Sequence, residues 1–324
     1  MKTFHNPDHA AHAGQHEMFR GRLVPCHEVP ARLDHVLHEL QRRPLGELML
    51  PALDAATLDA GIARVHGQRY LQFLQGAWDE WVALDPANAT RDALPSVWPL
   101  PNRHAFRTDV LPDNFAARLG VFSFDSGSPL TAGTWRAARS GAACALEAAR
   151  AVLAGDRSAF ALTRPPGHHA EPDQAMGFCL FNNVAVGAAH ARATHRIKRV
   201  AIVDFDVHHG NGTQTFCEHD SALFYASTHQ WPLYPGTGSV REQGDYGNVL
   251  NVCLPPMSGS PEFRHGIQSQ LIPALDAFRP DLLMISAGFD AHMRDPVGGL
   301  DLTDDDFAWF TSRFLEVADR DAKG

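Results

Sequence analysis

Cysteine is scarce in this chain. Its five residues, Cys26, Cys144, Cys179, Cys217 and Cys253, are odd in number, scattered and free of C-x-x-C spacing. That excludes a disulfide framework and a thiolate zinc site, and leaves reduced, mostly core thiols. Basic residues are also few: 28 Lys and Arg stand against 37 Asp and Glu, a formal charge of −9, with no basic block. Nucleic acid is therefore excluded as a partner. No apolar run approaches the roughly 18 residues of a membrane span. The N-terminal residues Met1 to Pro7 contain no apolar leader segment, so the expectation is a cytoplasmic protein without a membrane partner. Tyrosine is rare, at four residues.

What is present describes a folded enzyme-sized chain. Hydrophobic residues make up 44% and charged residues 20% of 324, which is globular composition. At about 150 residues per domain, that length fits two domains or one large α/β domain. Helical segments are predicted at Ala31–Arg42, at Ala55–Val82 in two pieces around Gly67, from Thr134 to about Leu153, from Asn183 to His195, and from Pro261 to Phe278. A last helix opens at Thr303 with an acidic capping box closed by Asp306. Short apolar strands are predicted at Ala159–Leu162, Val200–Val203, Leu223–Ala226 and Leu282–Ser286. Strands alternating with helices imply an α/β fold, a mainly parallel sheet covered by helices on both faces. Between Asp85 and Asn114, Pro86, Pro95, Pro99, Pro101 and Pro112 forbid a continuous helix or central strand and mark a long inserted excursion. The sequon Asn88-Ala89-Thr90 within it carries no weight without a secretion signal.

Nineteen histidines stand out, and position decides which of them matter. Ligands of parallel sheets collect at the carboxyl ends of the strands. Three predicted strands end there in polar clusters: His168 with His169, Asp204 with Asp206 and His208, and Asp290. In extended backbone, Asp206 and His208 project to the same side. With Asp290 they offer two carboxylates and one imidazole, a three-ligand open set of the kind that holds catalytic zinc. Two carboxylates nearly cancel the charge of such an ion, so its water needs a base. The pair His168-His169 can supply one, with Asp204 free to orient a ring.

The motifs Arg164-Pro165-Pro166-Gly167-His168-His169-Ala170, Gly177-Phe178-Cys179, Asp204-Phe205-Asp206-Val207-His208-His209-Gly210-Asn211-Gly212-Thr213, Tyr234-Pro235-Gly236-Thr237-Gly238 and Gly288-Phe289-Asp290 occur in that order. So do Val65-His66 with Tyr70, and Gly133-Thr134-Trp135. Together they closely resemble the zinc-dependent histone deacetylase and acetylpolyamine amidohydrolase superfamily, over most of the chain. The resemblance implies an arginase/deacetylase-like α/β fold in one catalytic domain, residues 1–324, with the proline-rich insertion at about 85–130. It implies Zn2+ on Asp206, His208 and Asp290, His169 as general base and acid, and His168 as its electrostatic partner. It further implies K+ beside Asp204 and Ser227, and a substrate channel walled by Gly177, Phe178 and Tyr234 with Asp125 at its rim. The reaction implied is hydrolysis of an acylated amine, either a small one such as an acetylpolyamine or an acetyl-lysine side chain.

Departures from the family pattern matter too. The arginase-like relatives hold a second metal with further aspartates. The matching positions here are Gly210 and His292, which favours one ion. Family members continue into another strand and a Gly-Gly-Tyr turn whose hydroxyl stabilises the oxyanion. None of Tyr70, Tyr225, Tyr234 and Tyr246 occupies that place, so the expectation is a truncated active enzyme or, alternatively, an impaired homologue that binds metal and ligand without efficient turnover. The segment from Phe19 to Pro25 and the proline-rich excursion resemble the acetylpolyamine branch, which implies a homodimer. Against that branch, Gly127 stands where an acidic residue is expected.

Overall fold

A computed structural model describes residues 1–19, 21–99, 110–195 and 197–322. Pro101 and the centre of the proline-rich excursion lie outside the described residues, as does Arg20 of the Phe19–Pro25 segment. The contacts divide the chain into two units, one formed by residues 1–151 and 159–187, the other by 152–158 and 188–324.

In the first unit, strands β1 (Lys2–His5), β4 (Leu48–Met49) and β5 (Ala159–Leu162) make a parallel sheet in the order β4-β1-β5, while β2 (His16–Phe19) and β3 (Arg22–Pro25) form a hairpin. Helix α1 (Ala31–Arg42) sets Leu33, Leu37 and Leu40 at the three- and four-residue spacing of one face and packs them on Leu48, Phe160 and Leu162. Helices α2 (Ala55–Ile62), α3 (Gln68–Leu84), α4 (Phe115–Val121) and α5 (Thr134–Leu153) close around Tyr70, Phe73, Phe122, Leu146 and Phe181. The break between α2 and α3 falls before Gly67, whose backbone meets the Asp173 side chain so closely that a Cβ would lie 2.1 Å from its Oδ1. The insertion is not structureless: Pro86–Thr90 forms a 3-10 turn and α4 lies near its end.

His66 ties this unit together. Its Nε2 accepts the Asn182 N–H at 2.9 Å, so Nδ1 carries the proton, 3.1 Å from the Glu171 carbonyl oxygen. Burial lowers its pKa to about 4, against the two carbonyl contacts that raise it. Burial likewise lowers His12, which pairs with the Thr134 hydroxyl, to about 4. The unfolded chain takes up these protons near pH 6.5 and the native one only near pH 4, so stability is present above 6.5 and is lost as pH falls between those values. Each group accounts for on the order of 3 kcal/mol across that window. Thermal melts of His66→Gln should show a flatter loss between pH 6.5 and 4 than the wild type; equal slopes would contradict this account.

The second unit is a four-stranded, wholly parallel sheet in the order β8-β7-β6-β9, built from β6 (Val200–Asp204), β7 (Leu223–Gln230), β8 (Val249–Leu254) and β9 (Leu282–Ser286). Every residue of β6 and β7 is buried, as strands covered on both faces require. Helix α6 (Asn183–Thr194) precedes β6, and its residues divide between the two units. Helix α7 (Asn211–Cys217) joins β6 to β7; the segment α8 (Ser260–Gly266), a π turn at Ile267–Leu271 and α9 (Ile272–Phe278) joins β8 to β9. Helix α10 (Asp304–Val317) opens on Thr303, and the Asp306 carboxylate accepts the Thr303 N–H and hydroxyl. After β6 the chain adds β7 and β8 on one side, whereas β9 returns to the other. The strand order therefore reverses at β6 and β9, and the crevice at their carboxyl ends is where such sheets bind ligands.

Candidate functional site

That crevice holds Asp206, His208 and Asp290. A ligand atom from each lies within 4.8 Å of the others, and among the described residues no other group of three or more His, Cys, Asp or Glu meets that test. Backbone bonds aim the carboxylates: Asp290 Oδ1 accepts the Val207 N–H at 2.9 Å, and Asp206 Oδ1 accepts the His208 N–H at 2.8 Å. The second oxygen of Asp206 rests against Gly288, where a Cβ would stand only 1.9 Å away. The glycine before Phe289-Asp290 is thus required by the neighbouring carboxylate. His208 Nδ1 lies 3.1 Å from Asp206 and 3.0 Å from Asp290.

The electrostatics describe a cluster short of positive charge. Burial and then the Asp206 charge raise the Asp290 pKa. Burial would lower that of His208, but its bonds to both aspartates reverse this and raise it. A proton held between two part-buried carboxylates and an imidazole stands in for a cation, and this donor set, oxygen with nitrogen and no thiolate, suits a divalent metal. His292 has Nε2 at 3.4 Å from Asp304 and Nδ1 accepting the Arg294 N–H.

Behind the triad, Asp204 and Ser227 are register partners on β6 and β7. Both are fully buried, and Asp204 Oδ1 accepts the Asp206 N–H at 3.1 Å. Half-buried Tyr234 sets its ring edge-on to His208, centroids 6.1 Å apart.

The remaining expected residues lie in the first unit. His168 and His169 are both buried, with ring centroids 4.0 Å apart. Their loop is clamped along its length. The Arg164 guanidinium makes a two-pronged buried bond to Glu28 and donates to the His9 carbonyl oxygen. Asn6 Nδ2 donates to the Arg164 carbonyl oxygen at 2.6 Å, and Asn183 Nδ2 to that of Pro165 at 3.3 Å. Removing one partner of such a buried pair costs about 3–5 kcal/mol. Glu28, Asn6 and Asn183 escaped the sequence reading because their only local signal is polarity; the motif names Arg164 but not what answers it.

Gly177 and Phe178 are the two central residues of a tight turn closed by reciprocal bonds between Met176 and Cys179, at 3.1 and 2.8 Å. Both are left-handed, with φ of 52° and 70°. That is ordinary for glycine and strained for phenylalanine. Asp125 braces this turn: Oδ2 accepts the Gly177 N–H at 3.2 Å and Oδ1 the Gly127 N–H at 2.8 Å. A Cβ on Gly127 would lie 3.6 Å from the Phe178 ring.

Residues 26–323 match the histone deacetylase domain family. The chain belongs to this family. Its relatives include acetylpolyamine amidohydrolase 2 of Pseudomonas aeruginosa, 38% identical over 317 residues, covering 95% of this chain and 88% of that one. Acetylpolyamine amidohydrolase 1 of the same organism is 38% identical over 327 residues, with 98% and 90% covered. A crystal structure of acetylpolyamine aminohydrolase from Burkholderia pseudomallei superposes with a TM-score of 0.87 at 32% identity, covering 97% of this chain and 89% of that one. The mixed α/β architecture with parallel sheets is that of the deacetylase fold.

Proposed function

We propose that this chain is a single-domain, zinc-dependent amidohydrolase that removes acetyl groups from amines, with small acetylated amines such as acetylpolyamines as the leading substrates. The observation that carries this reading is the triad of Asp206, His208 and Asp290 at the reversal of strand order, within a chain of the histone deacetylase family. The 38% identity to two acetylpolyamine amidohydrolases supports the substrate class.

In this reading Asp206, His208 and Asp290 hold Zn2+. When bound, the ion supplies Lewis-acid polarisation of an amide carbonyl and acidifies water. His169 takes the proton from the attacking water and returns it to the leaving nitrogen as the C–N bond breaks, giving acetate and the free amine. His168, its ring tilted against that of His169, tunes its charge. Phe178 and Tyr234 wall the acyl-amine chain, with Gly177 beside them and Asp125 at the rim. The carboxylate of Asp125, held in place by the Gly127 and Gly177 N–H groups, is the acceptor this reading assigns to a substrate N–H. Asp204 and Ser227 supply hard oxygen donors for K+, which would neutralise the fully buried Asp204 carboxylate.

Val97, Val110 and Phe124 of the insertion are about half exposed, which supports a second copy of the chain as partner there. No described helix is long and apolar enough to cross a membrane. The free cysteines suit a reducing compartment, the cytoplasm.

The test is turnover of N-acetylputrescine and of an acetyl-lysine peptide by the zinc-loaded protein, with sedimentation of the same preparation. Acetate release favouring the acetylputrescine, from a dimer, is expected. Release from neither substrate would overturn the reading, and a monomer would remove the dimer from it.

A further inference from the structure

One cluster of the second unit is not used by the hydrolytic reading: the buried His209, His229, Gln214 and Asn251, with the part-buried Glu242 at its edge. Along the strand end, His208 faces the crevice and His209 the opposite way, into the sheet. There Gly238 lies directly on two imidazoles. A Cβ at this position would stand 2.4 Å from His209 Cγ and 2.7 Å from His229 Nε2. The loop that carries Tyr234 is therefore seated on these rings, which are themselves 5.0 Å apart.

The hydrogen bonds form a chain with a defined direction. The Glu242 carboxylate accepts the Gly238 N–H at 3.0 Å, the Ser239 N–H at 2.8 Å and Gln214 Nε2 at 2.9 Å. Burial would raise its pKa, but the bonds from Gln214, Ser239 and Gly238 outweigh this and lower it, so Glu242 remains an anion that only accepts. Gln214 must then turn its amide nitrogen to Glu242 and its oxygen inward. That oxygen receives Asn251 Nδ2 at 2.9 Å and faces His209 Nε2 at 2.9 Å. In the neutral ring the proton consequently sits on Nε2, which leaves Nδ1 to accept from the Thr237 hydroxyl at 2.8 Å.

We propose that Glu242 is a positioning residue: it sets the direction of this chain, holds His209 as the Nε2–H tautomer and so fixes, through Thr237, the loop that presents Tyr234 beside His208. The kinetic consequence rests on the deacetylase reading; the tautomer does not.

Glu242→Gln is nearly isosteric but brings an amide donor to a place with three donors. Gln214 can answer by flipping, and its nitrogen would then confront Asn251 Nδ2 and the His209 Nε2–H. The ring must move its proton to Nδ1. The experiment is nitrogen NMR of 15N-histidine-labelled, zinc-loaded protein, with His209 assigned by its loss in His209→Gln, alongside kinetics on N-acetylputrescine. The wild type is expected to show the Nε2–H tautomer at His209 and Glu242→Gln the Nδ1–H form. KM should rise about 3–10-fold, the net worth of one lost hydrogen bond, with kcat within about threefold. Thr237→Val should keep the Nε2–H tautomer and still raise KM, and it carries the kinetic test if Glu242→Gln does not fold. An unchanged His209 tautomer in folded Glu242→Gln, or an unchanged KM in Thr237→Val, overturns the proposal. A wild type without turnover fails the deacetylase reading, and the tautomer comparison then decides the role of Glu242 alone.

Discussion

Replacing Asp290 by alanine is expected to lower turnover by about 10³-fold, the equivalent of several kcal/mol of lost charge stabilisation at 1.36 kcal/mol per decade. The cause should be readable apart from activity. A ligand at a hundred times its Kd stabilises the native state by about 2.7 kcal/mol, a rise in Tm of roughly 5–10 °C at the few degrees per kcal/mol of chains this large. Zinc should raise the Tm of the wild type by that order and leave Asp290→Ala unmoved.

The isosteric Asp290→Asn adds a sign test in the metal-free protein. Burial and the Asp206 charge raise the native Asp290 pKa, so the native state holds this proton more tightly than the unfolded chain. Stability then declines as pH rises above the unfolded value of about 4 through the native one. With one carboxylate facing one imidazole, Asp290→Asn escapes that decline and should melt higher than the wild type at pH 7 without metal. A zinc-induced shift of equal size in both proteins would remove Asp290 from the ligand set.

The second large effect belongs to His169. A positioned general acid and base contributes about 10²–10⁴-fold, and His169→Ala should lose that much turnover of N-acetylputrescine while keeping the whole zinc-induced rise in Tm. This separates the two groups: one variant loses the ion, the other the proton transfer. His169→Ala retaining turnover within a few-fold of wild type would assign the proton to another group.

How much of this was legible beforehand depends on where the information sits in the chain. The ends of β6 and β9 could be read because an unbroken apolar run stops abruptly at charged residues, Val200–Asp204 and Leu282–Ser286 followed by Gly288-Phe289-Asp290. β7 was read only to Ala226, although it runs to Gln230. Its last four residues, Ser227, Thr228, His229 and Gln230, are polar, and their burial rests on partners elsewhere in the chain, such as Gly238 for His229. β8 was missed because Asn251 interrupts its apolar pattern; that amide belongs to the Gln214 and Glu242 network. β1 is too short for its alternation to register, and the hairpin of β2 and β3 exposes Met18, Phe19 and Leu23 rather than burying them. The predicted helix from Pro261 to Phe278 is interrupted by a π turn at Ile267–Leu271, a change of hydrogen-bond spacing that leaves the residue pattern helical. The motif residues that meet in the crevice were visible, whereas support supplied from a distance, as by Glu28 for Arg164, was not.

The position of β9 has a consequence for biogenesis. His208 and Asp290 are 82 residues apart, and the strand leading to the aspartate pairs with β6 only after the intervening α7, β7, β8, α8 and α9 have been synthesised. During translation the crevice thus has an aspartate and a histidine long before its third donor emerges. If the triad holds zinc as proposed, ion capture follows closure of the sheet, and the rate at which a refolding chain withdraws zinc from a fluorescent chelator would time the docking of that strand.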